Sequence, residues 1–284
     1  MSGWGRGSTE GGNLIPLRPL TLAELMDSAL ELLRRNARGL LAASAILAVV
    51  EQLLLYPVKA AVGVVAPYHF ADRLGAVWLV LAVGLGTETA IIALLGGLAA
   101  RAAVPALVGG DAAPRWLAGR GSRLGALLAL AALVGAGGAL TAAAGLVPWF
   151  FWYLFTGLAA PALVIDRLGP LAALSRSFVM VGRGRWRPGG IRLLGYLAWY
   201  AIRLALAAGG TAALQLVVHL PGRTWSMLVT MVAWAVVNTV AYAVLGCLDA
   251  VLHVENRMRV EGLDLALSRA LRRGVPPDRI LAGG

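Results

Sequence analysis

Six apolar stretches, each about 20 residues long and so matched to a bilayer core, constrain this chain more than any other feature. They run over residues 39–57, 76–100, 124–145, 148–166, 190–217 and 225–250. The third and fourth are separated only by Gly145-Leu146-Val147-Pro148. One helix over 124–166 would overshoot the bilayer about twofold, so the region is expected to turn back as a tight hairpin. Of the 284 residues, 59% are hydrophobic and 14% charged, against about 25% charged in an ordinary soluble domain. A soluble fold could not cover so apolar a surface. The expected fold class is therefore an all-α polytopic integral membrane bundle of six transmembrane helices, within a membrane domain of residues 14–273. The Gly-rich, polar residues 1–13 are expected to be a disordered tail, and 274–284 a flexible one.

The net charge of +11 comes from basic residues spread over short loops and tails, not gathered on one soluble module. That pattern argues against nucleic acid as a partner and for membrane topology. The segment before the first span carries 5 Arg, the 101–123 loop 4, the 167–192 loop 6 and the C-terminal tail 6. The opposite side carries Lys59, Arg73 and Arg223, so the count is 21 against 3. Both termini are expected in the cytoplasm, with the chain in a bacterial inner membrane. The first 38 residues hold no apolar signal core, so no cleavable signal is expected.

Three segments outside the spans read as amphipathic interfacial helices. At the N-terminus, Thr21 followed by Glu24 makes a capping box. Leu22, Leu25, Met26, Ala29 and Leu33 line one face of that helix, and acids precede arginines as the helix dipole prefers. In the 167–189 loop, Leu171, Leu174, Phe178 and Val181 share a face, and GRGRWRP follows. Arg176, Arg183, Arg185, Trp186 and Arg187 are candidate contacts to anionic headgroups. The competing reading is a topology signal with snorkelling arginines. In the tail, Val260, Leu263, Leu267 and Leu271 align, and Gly274 can end the helix.

Three blocks carry a family resemblance: RPLTLAELMDSALELLRRN (18–36), APALVIDRLGPLAALSRSFVMVGRGRWR (160–187) and LDAVLHVENRMRVEGLDLAL (248–267). Together they resemble the membrane domain of the glycerophosphoryl diester phosphodiesterase membrane-domain family and its relatives in high-GC Gram-positive bacteria. The resemblance implies a membrane fold with an entry helix, a middle loop and an exit helix. It implies no phosphodiesterase activity, because nothing here resembles the soluble catalytic domain that follows the membrane part in the fusions. It also supplies no site residues.

Familiar catalytic constellations are missing. The sequence has no GxxxxGK[ST], HExxH or GxSxG motif, and Cys247 is the only cysteine. No enzyme activity, metal or cofactor is expected. His253-Val254-Glu255 matches the start of a zinc deaminase signature but lacks the paired cysteines it requires. It is read as an interfacial helix end. Ala131, Gly135, Gly138, Ala142 and Gly145 recur at steps of three and four, a stripe that lets a neighbouring backbone approach.

Polar residues inside the spans are few: Glu51 and Gln52, Glu88, Arg203, Gln215, Asn238 and Thr239. A carboxylate at mid-membrane costs about 2.5–3.5 kcal/mol on insertion scales, so Glu88 needs an explanation. Glu88 lies 13 residues from Arg101, and Arg203 lies 13 past Gly190. At 1.5 Å per residue both sit about 20 Å deep, so they are expected to pair across spans two and five. The first functional expectation is a non-enzymatic envelope scaffold or accessory subunit with a membrane or cytoplasmic protein partner. The alternative is a transporter or lipid-handling protein that uses Glu88 and Arg203. That alternative requires a water-accessible cavity reaching both charges.

Overall fold

Thr21 starts the first helix as its side chain dictates. The computed structural model describes residues 20–61, 74–106, 123–217 and 222–263, with 265, 266, 269 and 273. Thr21 N donates to Glu24 Oε2 at 2.8 Å and Thr21 Oγ1 accepts from Glu24 N at 3.4 Å, the reciprocal capping box that opens α1 (Leu22–Arg35). The buried face of α1 is Leu25, Ser28, Ala29, Leu32 and Leu33. Leu22, expected on that face, is 40% exposed. The face packs against α10 (Gly222–Glu261), so its apolar burial is within the protein.

The other helices are α2 (Ala37–Ala61), α3 (Leu74–Ala106), α4 (Leu124–Ala144), α5 (Leu146–Thr156), α6 (Ala159–Ile165), α7 (Pro170–Arg183), α8 (Arg187–Arg203) and α9 (Gly210–Val217). No strand occurs among the described residues. Six stretches are long and apolar enough to cross a membrane: Ala37–Lys59, Leu74–Ala103, Leu124–Ala144, Leu146–Ile165, Arg187–Leu214 and Trp225–Glu261. They match the six apolar runs of the sequence.

The hairpin between the third and fourth turns at Gly145, whose φ of +146° is open to glycine alone. Ala131, Gly135, Gly138 and Ala142 are buried along α4. A Cβ on Gly86 would fall 2.8 Å from Gly135 O, and one on Gly135 would fall 3.0 Å from Gly86 O. The small residues therefore let α3 and α4 pack backbone to backbone.

Three features differ from the sequence expectation. The fourth span is broken: α5 ends at Thr156 and α6 begins at Ala159. Next, α10 does not stop near residue 250. It continues to Glu261 as one 40-residue helix, about 60 Å long and twice a bilayer core. Residues 248–261 are thus its last turns, and Leu267 and Leu271 lie outside the described residues. Finally, α7 buries Ala173, Ser177, Met180 and Val181, while Leu171 is 72% exposed. Of the stripe expected from the sequence, Val181 is buried and Leu174 packs against the core, while Leu171 and Phe178 face out.

Candidate functional site

Glu88 sits midway along Leu74–Ala103, where a bare carboxylate is least tolerable. Arg203 of α8 forms an ion pair with its Oε1, and Tyr196 donates to Oε2 at 3.0 Å. The guanidinium carbon lies 5.4 Å from the ring centres of Tyr196 and Tyr200 and 5.5 Å from that of Tyr242. Three aromatic faces around one cation stabilise a charge that is otherwise out of water. A π-helical stretch, Leu204–Gly209, begins directly after Arg203. Such stretches often mark functional positions in helices.

Glu51 of α2 joins the same cluster. Its carboxylate accepts from Tyr242 Oη at 2.8 and 3.0 Å and from Asn238 Nδ2 at 3.2 Å. Asn238 Oδ1 in turn lies 3.5 Å from Arg203 Nη1. Asn238 therefore bridges the two carboxylate sites.

A cavity of about 180 Å³ opens beside this cluster. Glu51, Gln52 and Lys59 of α2, Glu88 of α3, and Arg203 of α8 bring charge and hydrogen-bonding groups to its wall. Leu55, Val80, Leu81, Leu85 and Trp234 supply the apolar remainder. Not all of the polar capacity is used. Arg203 Nε and Nη2 and Gln52 Oε1 are buried without a hydrogen-bond partner. Arg203 is only 1% exposed. Gln215 has its side chain outside the described residues. Thr239 does not line the cavity: its hydroxyl donates to Ala235 O at 2.7 Å, within α10.

A second buried pair was not foreseen. Arg192 Nε donates to Asp249 Oδ1 at 2.7 Å, and both residues are buried. Arg192 also donates to Tyr153 O and lies 3.6 Å over the Tyr153 ring. The sequence count places Arg192 in the 167–192 loop, and Asp249, inside the 225–250 run, is not among the polar residues singled out there. The usable signal was an acid and a base, each a few residues inside an apolar run at the same end of the bundle.

At that end lies a third cluster. Asp166 accepts from Arg176 at 2.6 Å and from Arg257 at 2.8 Å, with His253 Nε2 at 3.5 Å. Arg176 and Arg257 share Glu261, and Arg187 and Arg259 share Glu255. Arg187 also donates to Leu20 O at 2.8 Å. His253 and Glu255 are fully buried within α10, which runs on to Glu261, so the helix does not end at them as the sequence suggests. Arg176 and Arg187, candidates for headgroups, are taken by carboxylates of the chain itself. Arg183, Arg185 and Trp186 are exposed, with Trp186 packed edge-on against Phe155 at 5.3 Å.

Burial would raise the Asp166 carboxyl, but the hydrogen bond and charge of His253, then Arg257 and Arg176, hold it below the usual carboxylate range. A depressed carboxylate gives stability that is present above its unfolded pKa and lost as pH falls through the folded one. The tie between α6, α7 and α10 should therefore hold at neutral pH and fail only below about pH 4. Asp166→Asn is expected to lower the melting temperature at pH 7 and to flatten its fall below about pH 4. Thermal melts of both proteins across that range check this.

Among the described residues no group of His, Cys, Asp and Glu could hold a metal ion. No family model, curated protein or solved structure matches the chain, so the family resemblance rests on its three sequence blocks alone.

Proposed function

We propose that this chain is a multi-pass cell-membrane protein, with both termini cytoplasmic, that binds a small amphipathic ligand as a transporter or lipid-handling protein. The single observation that carries this reading is the cavity beside Arg203, a buried cation with two nitrogens unused. An unused donor at membrane depth is costly unless something occupies it part of the time. Its chemistry fits an acceptor group, a carboxylate or phosphate oxygen, with Lys59 as a second cation on the wall. The leucines, valine and tryptophan opposite fit a short apolar portion of the same molecule. The cavity favours this reading over an envelope scaffold. Part of the basic surface that motivated a scaffold is already consumed by ion pairs at Arg176, Arg187, Arg257 and Arg259.

The test is to fill the cavity without touching a charge. Gly84 lines it, and a Cβ there would meet only Leu55 Cδ1 at 4.0 Å. Gly84→Phe is expected to fold about as well as the parent, since phenylalanine is a better helix residue than glycine by roughly 0.5 kcal/mol. Native mass spectrometry of both proteins, purified gently from their own membrane, should show a bound small molecule or lipid lost in the variant. Equal ligand in both, or none in either alongside a stoichiometric protein partner, would return the scaffold reading.

A further inference from the structure

Among the described residues no cation contacts Glu51, and the hydrogens around it can be assigned one by one. Arg203 only donates. Its contact with Asn238 Oδ1 fixes that amide, so Nδ2 donates the other way, to Glu51 Oε2 and to Tyr242 Oη at 2.9 Å. Tyr242 accepts there, so its own hydrogen goes to Glu51. Thr87 has one hydroxyl hydrogen, and Gly84 O at 2.9 Å is its nearer acceptor. A Thr87 lone pair therefore faces Glu51 Oε1 at 3.4 Å. Two bare acceptors in that position repel; a hydrogen on Oε1 makes the contact O–H···O. The nearby cations agree. Glu88 already uses Arg203, and Lys59 on the same wall forms no ion pair with Glu51. A bare carboxylate there would be buried without a contacting counter-ion.

We propose that Glu51 is the proton-binding site of the cavity, holding a proton on Oε1 when no ligand is bound and exchanging it with cavity water. In the exchange the Oε1–H bond breaks, the proton passes to water, and the electron pair stays on the carboxylate. The groups that face this event are Glu88 from α3, Arg203 and Tyr200 from α8, Tyr242 from α10 and Lys59 from α2 itself. An anion on Arg203 then disfavours deprotonation of Glu51, so anion and proton occupy the cavity together. That coupling rests on the ligand-binding reading, whereas the proton site does not.

Infrared difference spectroscopy across a pH titration, on the purified protein in lipid nanodiscs without added ligand, reads the site directly. The expected result is a titrating protonated-carboxyl band that disappears in Glu51→Gln. The amide copies the neutral acid, donating to Thr87 and accepting from Tyr242 and Asn238. Its melting temperature should therefore stay within about 2 °C of the parent, a shift worth under 1 kcal/mol. A band unchanged by Glu51→Gln overturns the proposal. So does a variant that melts far lower or fails to fold, since that means the native group is a charged carboxylate. Either failure leaves the Gly84→Phe comparison untouched, and a negative there leaves the proton site standing.

Discussion

Glu88→Leu is expected to cost about 3–5 kcal/mol of stability, because it leaves Arg203 buried without its counter-ion. Arg203→Met should cost a similar amount by stranding Glu88. The double variant should cost much less than the sum. With both charges gone, what remains is the Tyr196 hydroxyl and the Asn238 carbonyl oxygen without their partners, about 1–3 kcal/mol each if neither is rehydrated. Unfolding in graded mixed micelles gives all four corners of this cycle. A double variant as unstable as the two singles combined would mean that the pair is not a coupled unit. The same double variant separates brace from site. If it folds yet no longer carries the ligand, the charges serve binding; if it keeps the ligand, they serve only the fold. Exchanging the charges, Glu88→Arg with Arg203→Glu, should also recover stability lost in either single change. Asn238 can turn its amide to donate to the new carboxylate, and the Glu51 proton, moved from Oε1 to Oε2, can donate to the oxygen that then faces it.

How much of this was legible in the sequence depends on the physics behind each feature. The six spans were legible because hydropathy over about 20 residues is a strong, local signal. The proximity of Glu88 and Arg203 was legible because opposite charges at matched depth have few other ways to be tolerated. The cavity was not, since it arises where α2, α3, α8 and α10 fail to fill the space between them. The tyrosines were not either. Tyr196 and Tyr242 look like ordinary apolar-run residues until their hydroxyls are seen on Glu88 and Glu51.

The end of α10 misled for a different reason. A run as polar as His253-Val254-Glu255-Asn256-Arg257 normally signals that the chain has left the bundle. Here the helix continues because each charge finds a partner, either one turn away or on α6, α7 or α8. Composition alone cannot tell a solvated helix end from a buried one whose charges are all answered. The amphipathic face of α1 was read correctly as apolar, but its packing partner is α10.

The break between α5 and α6 falls where Pro161 imposes one, since proline has no N–H for the carbonyl four residues back, at Gly157, and its ring crowds that carbonyl. The sharper question is what fills and holds the break. Arg192 occupies the space that a side chain at 157 would need: a Cβ on Gly157 would lie 2.2 Å from Arg192 Cδ. The backbone groups freed by the break are answered from outside. Arg192 donates to Tyr153 O, Ser177 Oγ accepts from Leu158 N at 3.1 Å, and the same hydroxyl donates to Phe155 O at 2.6 Å. At membrane depth such groups must be satisfied within the protein. Arg192→Met should therefore be severe, about 3–5 kcal/mol, because it strands buried Asp249 as well as Tyr153 O. The informative result is the sign of a second change. Gly157 has ordinary helical dihedrals, φ −62° and ψ −34°, so alanine carries no backbone penalty there. In the parent, Gly157→Ala should destabilise, because Arg192 is held by Asp249 and cannot give way. In the Arg192→Met background the same change meets a more yielding side chain, and it should be neutral or stabilising by up to about 1 kcal/mol from helix propensity. If Gly157→Ala is equally harmful in both backgrounds, Arg192 does not set the space at 157, and the break rests on Pro161 and on Ser177 of α7.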